Sequence, residues 1–244
     1  MEHISEILKR ALRRNPLQLE HPSSGPVSES SCPVCGGIEW VYLNVSMEHP
    51  DFGKPVPCRC IPTMPGQRYL ELYWPKFAKA QCEDFGAAKQ QMLREIILTE
   101  RSLYLWGLNG HGKTHFLCAL FRELCKESHD VILWGAMELI DKIKEQMAWE
   151  YQEILERCFT VKHLCIDDLG RGYLTAYVGD RLLRIVEERY HRNLPTYVTT
   201  NFSPPELAEH LNKGDNVDGN AIVSRLTDKR ICRVVEYLDH DWRA

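Results

Sequence analysis

The sequence predicts an α/β domain with a mostly parallel, covered β-sheet, preceded by a small module with too little apolar material for its own core. From residue 101 onward, short apolar runs alternate with segments of helical pattern, the order expected of parallel strands joined by helices. Residues 32–65 instead hold four cysteines and many prolines and glycines around one short apolar run. Such a segment needs a crosslink or a bound metal to fold.

Five apolar runs in the α/β domain are candidate strands: SLYLW, VILWG, HLCIDD, TYVTTN and CRVVEY. Helical patterns cover residues 115–126, 137–158, 178–191, 205–211 and 220–229, and helical character already resumes within residues 66–86. Upstream, residues 1–15 form a predicted amphipathic helix and residues 16–30 have linker composition. We therefore assign residues 1–66 to an N-terminal helix, linker and cysteine module, and residues 67–244 to the α/β domain.

Composition limits the classes of function. The chain has 244 residues and a formal net charge of -4, so contact with nucleic acid requires a local basic patch. No apolar run approaches the ~20 residues that cross a bilayer, and the N-terminus lacks the apolar centre of a signal peptide. We expect a cytoplasmic protein without membrane contact, in which six cysteines serve as small core residues: Cys82, Cys118, Cys125, Cys158, Cys165 and Cys232.

A glycine-rich stretch, GLNGHGKTH at residues 107–115, lies between the first strand and the first helix of the domain. It matches the phosphate-binding P-loop pattern G-x-x-x-x-G-K-[ST], in which glycines let backbone N–H groups approach phosphate oxygens. The lysine supplies charge to the β- and γ-phosphates, and the threonine offers its hydroxyl to Mg²⁺. The alternative, a turn that binds nothing, is disfavoured by the strand before and the helix after. The predicted nucleotide-binding residues of the stretch are Gly107, Asn109, Gly110, His111, Gly112, Lys113, Thr114 and His115.

Polar side chains end two later strands. Asp167 and Asp168 close the run HLCIDD, and a carboxylate at the carboxyl end of a strand faces the same crevice as the P-loop. We expect Asp167 to hold the Mg²⁺ shell and Asp168 to orient or deprotonate the attacking water. Asn201 ends the run TYVTTN, where its amide can bond both the γ-phosphate and that water. The alternative is that these groups only cap local turns.

Arg225 lies in GNAIVSRLTDKR, on a predicted short helix after the strand that ends in Asn201. An arginine supplied by a neighbouring subunit can stabilise the charge on a phosphoryl group during its transfer. The alternative is a surface arginine in an ordinary ion pair. The spacing alone leaves both interpretations open.

The order P-loop, acidic pair, Thr-Thr-Asn and Ser-Arg-Leu resembles that of the DnaC/DnaI/IstB group of AAA+ ATPases, from about residue 69 to the end. The segments that carry the resemblance are GLNGHGKTH, CIDDLG, VGDRLLRIVEERY followed by LPTYVTTN, and SRL. It implies that Lys113, Thr114, Asp167 and Asp168 bind and hydrolyse Mg-ATP, with Asn201 as sensor 1 and Arg225 as arginine finger. It also implies a homo-oligomer, because each finger completes a neighbour's site, and an ATPase domain without a C-terminal helical lid.

Four cysteines, Cys32, Cys35, Cys58 and Cys60, stand in the motifs CPVCGG and CRC. Two close pairs of thiolates suit a closed tetrahedral zinc site, which would also explain how so small a module folds. An iron–sulfur cluster, a redox pair and metal-free cysteines are the alternatives. The resemblance adds that DnaI-type loaders use a zinc-binding N-terminal domain to contact the replicative helicase.

The combined prediction is an ATP-dependent loader that binds single-stranded DNA and a hexameric replicative helicase and is switched by ATP hydrolysis. The nearest rival is an IstB-like transposition helper, which would act with a transposase on duplex DNA. A P-loop kinase for a small molecule, and a zinc-dependent adaptor with a structural nucleotide site, are further alternatives. The Thr-Thr-Asn and Ser-Arg-Leu segments speak against the kinase.

Overall fold

A five-stranded, all-parallel β-sheet organises the larger part of the molecule. The computed structural model describes residues 40–42, 55–57, 66–127, 130–144, 149–172, 174–213 and 217–238. The strands are β1 (Trp40–Tyr42), β2 (Pro55–Pro57), β3 (Ser102–Trp106), β4 (Val131–Gly135), β5 (His163–Leu169), β6 (Thr196–Thr200) and β7 (Cys232–Glu236). The helices are α1 (Gly66–Tyr73), α2 (Ala87–Thr99), α3 (Lys113–Glu127), α4 (Ala136–Lys144), α5 (Trp149–Thr160), α6 (Ala176–His191), α7 (Pro204–Asn212) and α8 (Gly219–Leu226).

Strand order places three predicted site segments at one edge of the sheet. The order is β4-β5-β6-β3-β7, and every neighbouring pair is parallel. Because helices return the chain between parallel strands, all carboxyl ends lie at the same edge. The loop after β3, the end of β5 and the residue after β6 therefore meet there, with β6 between the other two strands.

The core has two apolar clusters, one on each face of the sheet. Helices α1, α2 and α3 contribute to one cluster, and α4 to α8 contribute to the other. Along β5 the side chains alternate, since Leu164 and Ile166 join one cluster while Cys165 joins the other. The cysteine prediction is confirmed for five of its six residues, which are buried, while Cys125 is half-buried. Burial raises the pKa of the Cys158 thiol to about 12, so it stays protonated.

A buried arginine joins helices and strands at the edge of the sheet where the amino ends of the strands lie. Arg189, near the end of α6, is 1% exposed, and its guanidinium donates five hydrogen bonds of 2.7–3.2 Å without a carboxylate partner among them. Its acceptors are the Thr196 hydroxyl and the backbone carbonyls of Cys158, Val161, Lys162 and Pro195. The side chain thus ties α6 to the end of α5 and the start of β6. Burial lowers its pKa to about 10, so the group remains charged.

All five predicted strands are confirmed, but the helices differ from the sequence pattern in three places. The helical character predicted within residues 66–86 is confined to α1 and two short 3-10 turns, Pro75–Phe77 and Cys82–Asp84, because proline at residue 75 cannot continue a helix. The single helical stretch predicted over residues 137–158 is two helices, α4 and α5. Helix α2 was absent from the sequence-based assignment.

The N-terminal strands pair separately. β1 and β2 form an antiparallel ladder in which Trp40 faces Pro57, within a compact unit of residues 1–58. A second unit comprises residues 59–244. The four predicted zinc ligands, Cys32, Cys35, Cys58 and Cys60, lie outside the described residues, as do the predicted helix and linker of residues 1–30. No helix within the described ranges has the length and apolar character to cross a membrane.

Candidate nucleotide site

The P-loop adopts a backbone that only glycine takes readily. Gly107, Gly110 and Gly112 have φ angles of 150°, 85° and 89°, a region where a Cβ atom is strained. At Gly107 a Cβ would also lie 2.6 Å from the carbonyl oxygen of Tyr237, just beyond β7. The loop therefore packs directly on the neighbouring strand end before α3 begins at Lys113. This arrangement directs the amino end of α3 toward the carboxyl edge of the sheet, where a helix N-terminus favours a bound phosphate.

Lys113 links the P-loop to the end of β6. Its side chain is 8% exposed, and Nζ donates to the carbonyl oxygens of Gly107 and Leu108 at 2.9 and 2.8 Å. A third hydrogen bond, of 2.9 Å, reaches Oδ1 of Asn201. The ammonium group is thus anchored within the loop, at the place where the motif requires a cation for the β- and γ-phosphates.

Asp167 lies between two threonine hydroxyls. Thr114 donates to its Oδ2 at 3.1 Å and Thr199 donates to its Oδ1 at 2.6 Å. Burial raises the pKa of the Asp167 carboxyl, and the nearby charge of Asp168 adds to this, although both threonine hydrogen bonds and Lys113 act in the opposite direction. A cation beside this carboxylate would remove the cost of its buried charge.

The Thr114 hydroxyl and the Asp167 carboxylate fit a magnesium ion. They are adjacent hard oxygen donors at the start of α3 and the end of β5, and Mg²⁺ is usually held by one or two protein ligands together with substrate phosphates and waters. Such a site needs no dense protein cage. The described part of the chain contains no group of three or more His, Cys, Asp or Glu side chains that could hold a metal.

A bulge at the end of β5 sets the direction of Asp168. Ile166 pairs with Val198 and Leu169 pairs with Thr200, so β5 has one residue more than β6 between these pairs. Asp168 lies in this bulge and has a φ of 59°. Bulges near active sites commonly redirect one side chain. Its backbone N–H donates to the Thr199 hydroxyl at 2.9 Å. Thr199 therefore positions both acids, one by donating a hydrogen bond and the other by accepting one.

Asn201 joins the acid to the lysine. Its Nδ2 donates to Oδ1 of Asp168 at 3.1 Å, while its Oδ1 accepts from Lys113. Arg171 approaches the other oxygen of Asp168 at 3.4 Å from an exposed position. The predicted cation, the second acid and the predicted sensor are thus members of one hydrogen-bonded chain.

These groups open into a cavity of about 770 Å³, a size typical of ligand sites. From the predicted set it is lined by Asn109, Gly110, Gly112, Lys113, Thr114, His115, Asp168 and Asn201. Gly107, His111 and Asp167 are not lining residues but contact them. The Gly107 carbonyl accepts from Lys113, Asp167 accepts from Thr114, and the ring Nδ1 of His111 lies 2.8 Å from the carbonyl oxygen of Asn109.

The outer wall of the cavity was not predicted from the sequence. It comes from the turns between α1 and α2 and comprises Lys76, Phe77, Lys79, Gln81, Asp84 and Phe85. His115 joins this wall to α3, because its Nε2 lies 2.6 Å from Oδ2 of Asp84 and its ring packs edgewise on Phe77 and Phe85. Burial of Asp84 would raise its pKa, but hydrogen bonds from His115 and Gln81 outweigh it, so the pKa is lowered. In the sequence, this wall is marked only by the aromatic residues Phe77 and Phe85 in a segment that Pro75 interrupts.

Arg225 lies away from this cavity. It is on α8, where its NH2 group pairs with Oε1 of Glu187 on α6 at 2.6 Å. It lines a separate polar cavity of about 590 Å³. Within one chain, the structure therefore brings together all the predicted nucleotide-site residues except Arg225.

The chain matches known proteins along its α/β domain. The family described as IstB-like ATP binding protein matches residues 64–244. The replicative helicase loader DnaI of Bacillus subtilis is 31% identical over 112 residues, which cover 45% of this chain and 36% of that protein. The ATP-binding protein of insertion sequence IS1162 from Pseudomonas fluorescens is 24% identical over 125 residues, covering 47% of this chain and 54% of that protein.

A solved structure supports the same grouping. The crystal structure of DnaI aligns with a TM-score of 0.59 and 25% identity, over 67% of this chain and 94% of that one. The two curated relatives are longer than their matched parts, since the matches span only 36% and 54% of their lengths. Because the family match extends over most of the chain, the protein belongs to the IstB-like ATP-binding family of AAA+ P-loop ATPases.

Proposed function

We propose that the protein is a cytoplasmic, ATP-dependent loader that places a hexameric replicative helicase on single-stranded DNA and is switched by ATP hydrolysis. The observation that carries the ATPase part is the hydrogen-bonded chain of Lys113, Asn201 and Asp168 at the wall of one cavity. The likeness to the helicase loader DnaI supports the loader part.

The residues of this hydrogen-bonded group, together with Thr114 and Asp167, each have a proposed role in ATP hydrolysis. Lys113 would supply its charge to the β- and γ-phosphates, and Thr114 and Asp167 would hold a Mg²⁺ ion, which when bound supplies further positive charge to the phosphates. Asp168 orients or deprotonates the attacking water, because the bulge in β5 directs it into the cavity. Asn201 contacts both Lys113 and Asp168, so the arrival or loss of the γ-phosphate would change its partners.

Arg225 acts on the nucleotide of a neighbouring protomer. Its position outside the cavity that contains Lys113 is what a residue acting in trans requires. Homo-oligomerisation would then complete each site, and hydrolysis would depend on assembly.

Steady-state ATP turnover with and without partners tests this proposal. We expect turnover per subunit to rise with protein concentration and to respond to single-stranded DNA or a hexameric helicase. Lys113→Ala should abolish nucleotide-dependent DNA binding, because the cation that reads the phosphates is gone. The proposal would be contradicted by an ATP turnover rate that is independent of protein concentration and responds to neither partner. Nucleotide-dependent DNA binding retained by Lys113→Ala would also contradict it.

An IstB-like transposition helper is the second candidate, because the matching family and the IS1162 relative both point to it. Both candidates use the same ATP site and differ in partner. Stimulation of turnover by duplex DNA and a transposase, rather than by single-stranded DNA and a helicase, would favour this alternative.

We also propose that Cys32, Cys35, Cys58 and Cys60 bind zinc and that the resulting module contacts the helicase. The pairing of Trp40 with Pro57 supports this, since the CPVCGG motif precedes β1 and Cys58 directly follows β2 in the chain. Metal analysis should find one zinc per chain, lost in Cys35→Ser. Full zinc content in that variant, or iron in place of zinc, would contradict the assignment.

A further inference from the structure

Arg225, which we propose acts on the nucleotide of a neighbouring protomer, has polar contacts within its own chain. The NH2 group of Arg225 lies 2.6 Å from Oε1 of Glu187, and NH1 donates to the carbonyl oxygen of Ala221 at 2.9 Å. Helices α6 and α8 pack against each other and hold the two side chains together. The charge of Arg225 is therefore opposed by a carboxylate before any second protomer is present.

The surroundings of the pair distinguish this carboxylate from the other acid nearby. The polar cavity around Arg225 also contains Asp228 and Arg230. Asp228 instead accepts hydrogen bonds from Arg230, the shortest of 2.6 Å, and from the Tyr190 hydroxyl at 2.8 Å. Glu187 is thus the acid that contacts Arg225 among the described residues.

The pair is placed so that a stronger anion can displace Glu187. The side chains of Arg225 and Glu187 are 28% and 35% exposed, so water screens their attraction and the pair is weak compared with a buried one. A nucleotide phosphate carries more charge and offers bidentate acceptors to a guanidinium. A second copy of the chain, presenting a bound nucleotide at this cavity, would therefore compete well for Arg225.

We propose that Glu187 is a latch that holds Arg225 in the isolated protomer and releases it only to the nucleotide of a second copy. The proposal rests on the trans role given to Arg225 above. Glu187 acts through Arg225 and is a positioning residue; its loss should make the arginine available at lower protein concentration. The latch would limit ATP turnover by protomers that meet only briefly.

Glu187→Gln tests the latch, because it removes the charge while keeping the shape of the side chain. The measurement is ATP turnover against protein concentration. We expect the concentration at half-maximal turnover to fall roughly threefold, the scale of one half-exposed ion pair. The matched control is Glu95→Gln, which breaks the equally short 2.6 Å pair of Glu95 with Arg233 elsewhere in the chain and should leave the curve unchanged.

The same change in an Arg225→Ala protein separates the latch proposal from the proposal that Arg225 acts in trans. In Arg225→Ala, the further change Glu187→Gln should have no effect, because there is no finger left to release. If Glu187→Gln alone leaves the half-maximal concentration unchanged or raises it, the latch is wrong. If Arg225→Ala itself turns over ATP with the concentration dependence of the parent protein, the trans role fails instead.

Discussion

Thr199→Val should weaken the magnesium site through Asp167 while leaving every residue of the P-loop unchanged. The Thr199 hydroxyl donates to Oδ1 of Asp167 at 2.6 Å and accepts the N–H of Asp168 at 2.9 Å. Valine has the same shape but makes neither bond. The substitution therefore removes a hydrogen bond to a carboxylate, worth about 1.5–3 kcal/mol, and leaves a backbone donor without that acceptor.

The magnitude for metal affinity follows from the same contact. Outer-shell partners of metal ligands typically account for about 10–100-fold in affinity. We expect the Mg²⁺ concentration at half-maximal ATP turnover to rise about tenfold or more in Thr199→Val. Because the lost hydrogen bond lowered the pKa of Asp167, the acid limb of the pH profile should also move to higher pH.

Two variants control this experiment. Thr200→Val makes the same change one residue later, at a hydroxyl that donates to the carbonyl oxygen of Leu169 and does not contact either acid. It should keep the Mg²⁺ dependence of the parent protein, and Thr199→Ser should restore it. A Thr199→Val protein with a Mg²⁺ dependence within about twofold of the parent would refute the role of Thr199.

Two further predictions concern stability. Arg189→Met should lower the free energy of unfolding by about 3–5 kcal/mol, because it removes a buried donor that four backbone carbonyl oxygens share. Arg192→Met, which breaks an exposed pair with Glu188, should cost under about 1 kcal/mol. Equal losses in urea unfolding would contradict this account of Arg189. Burial lowers the pKa of His163 to about 4, so the unfolded chain binds its proton first. Between pH 7.5 and 5 this residue should therefore cost about 2 kcal/mol of stability, and His163→Asn should flatten that pH dependence.

The strands and the phosphate loop could be predicted because their signals are local. Apolar runs such as SLYLW and VILWG match β3 and β4 residue for residue, since strands covered on both faces are continuously apolar. The P-loop spacing and the acids at the end of β5 then fixed which edge of the sheet carries the site. The meeting of Lys113 with Asn201 also follows from the rule that parallel strands end at one edge.

Features that depend on tertiary packing had no comparable signal. The outer wall at residues 76–85 lies in turns without periodicity, and it reaches the cavity only through contacts such as that of Asp84 with His115. The bulge at Asp168 needs an unusual backbone that many aspartates in other settings do not adopt. Glu187 and Arg225 are on different helices, so no helical spacing could pair them.

ATP turnover by a mixture of two inactive variants tests the composite site most directly. Lys113→Ala lacks a working P-loop but keeps Arg225, whereas Arg225→Ala keeps the P-loop and lacks the finger. If each site is completed by a neighbour, equal mixing should restore about a quarter of the parent rate, because random pairing gives about a quarter of all sites both an intact P-loop and an intact finger. A mixture no more active than the sum of its two components would contradict the assignment of Arg225 to a neighbouring site.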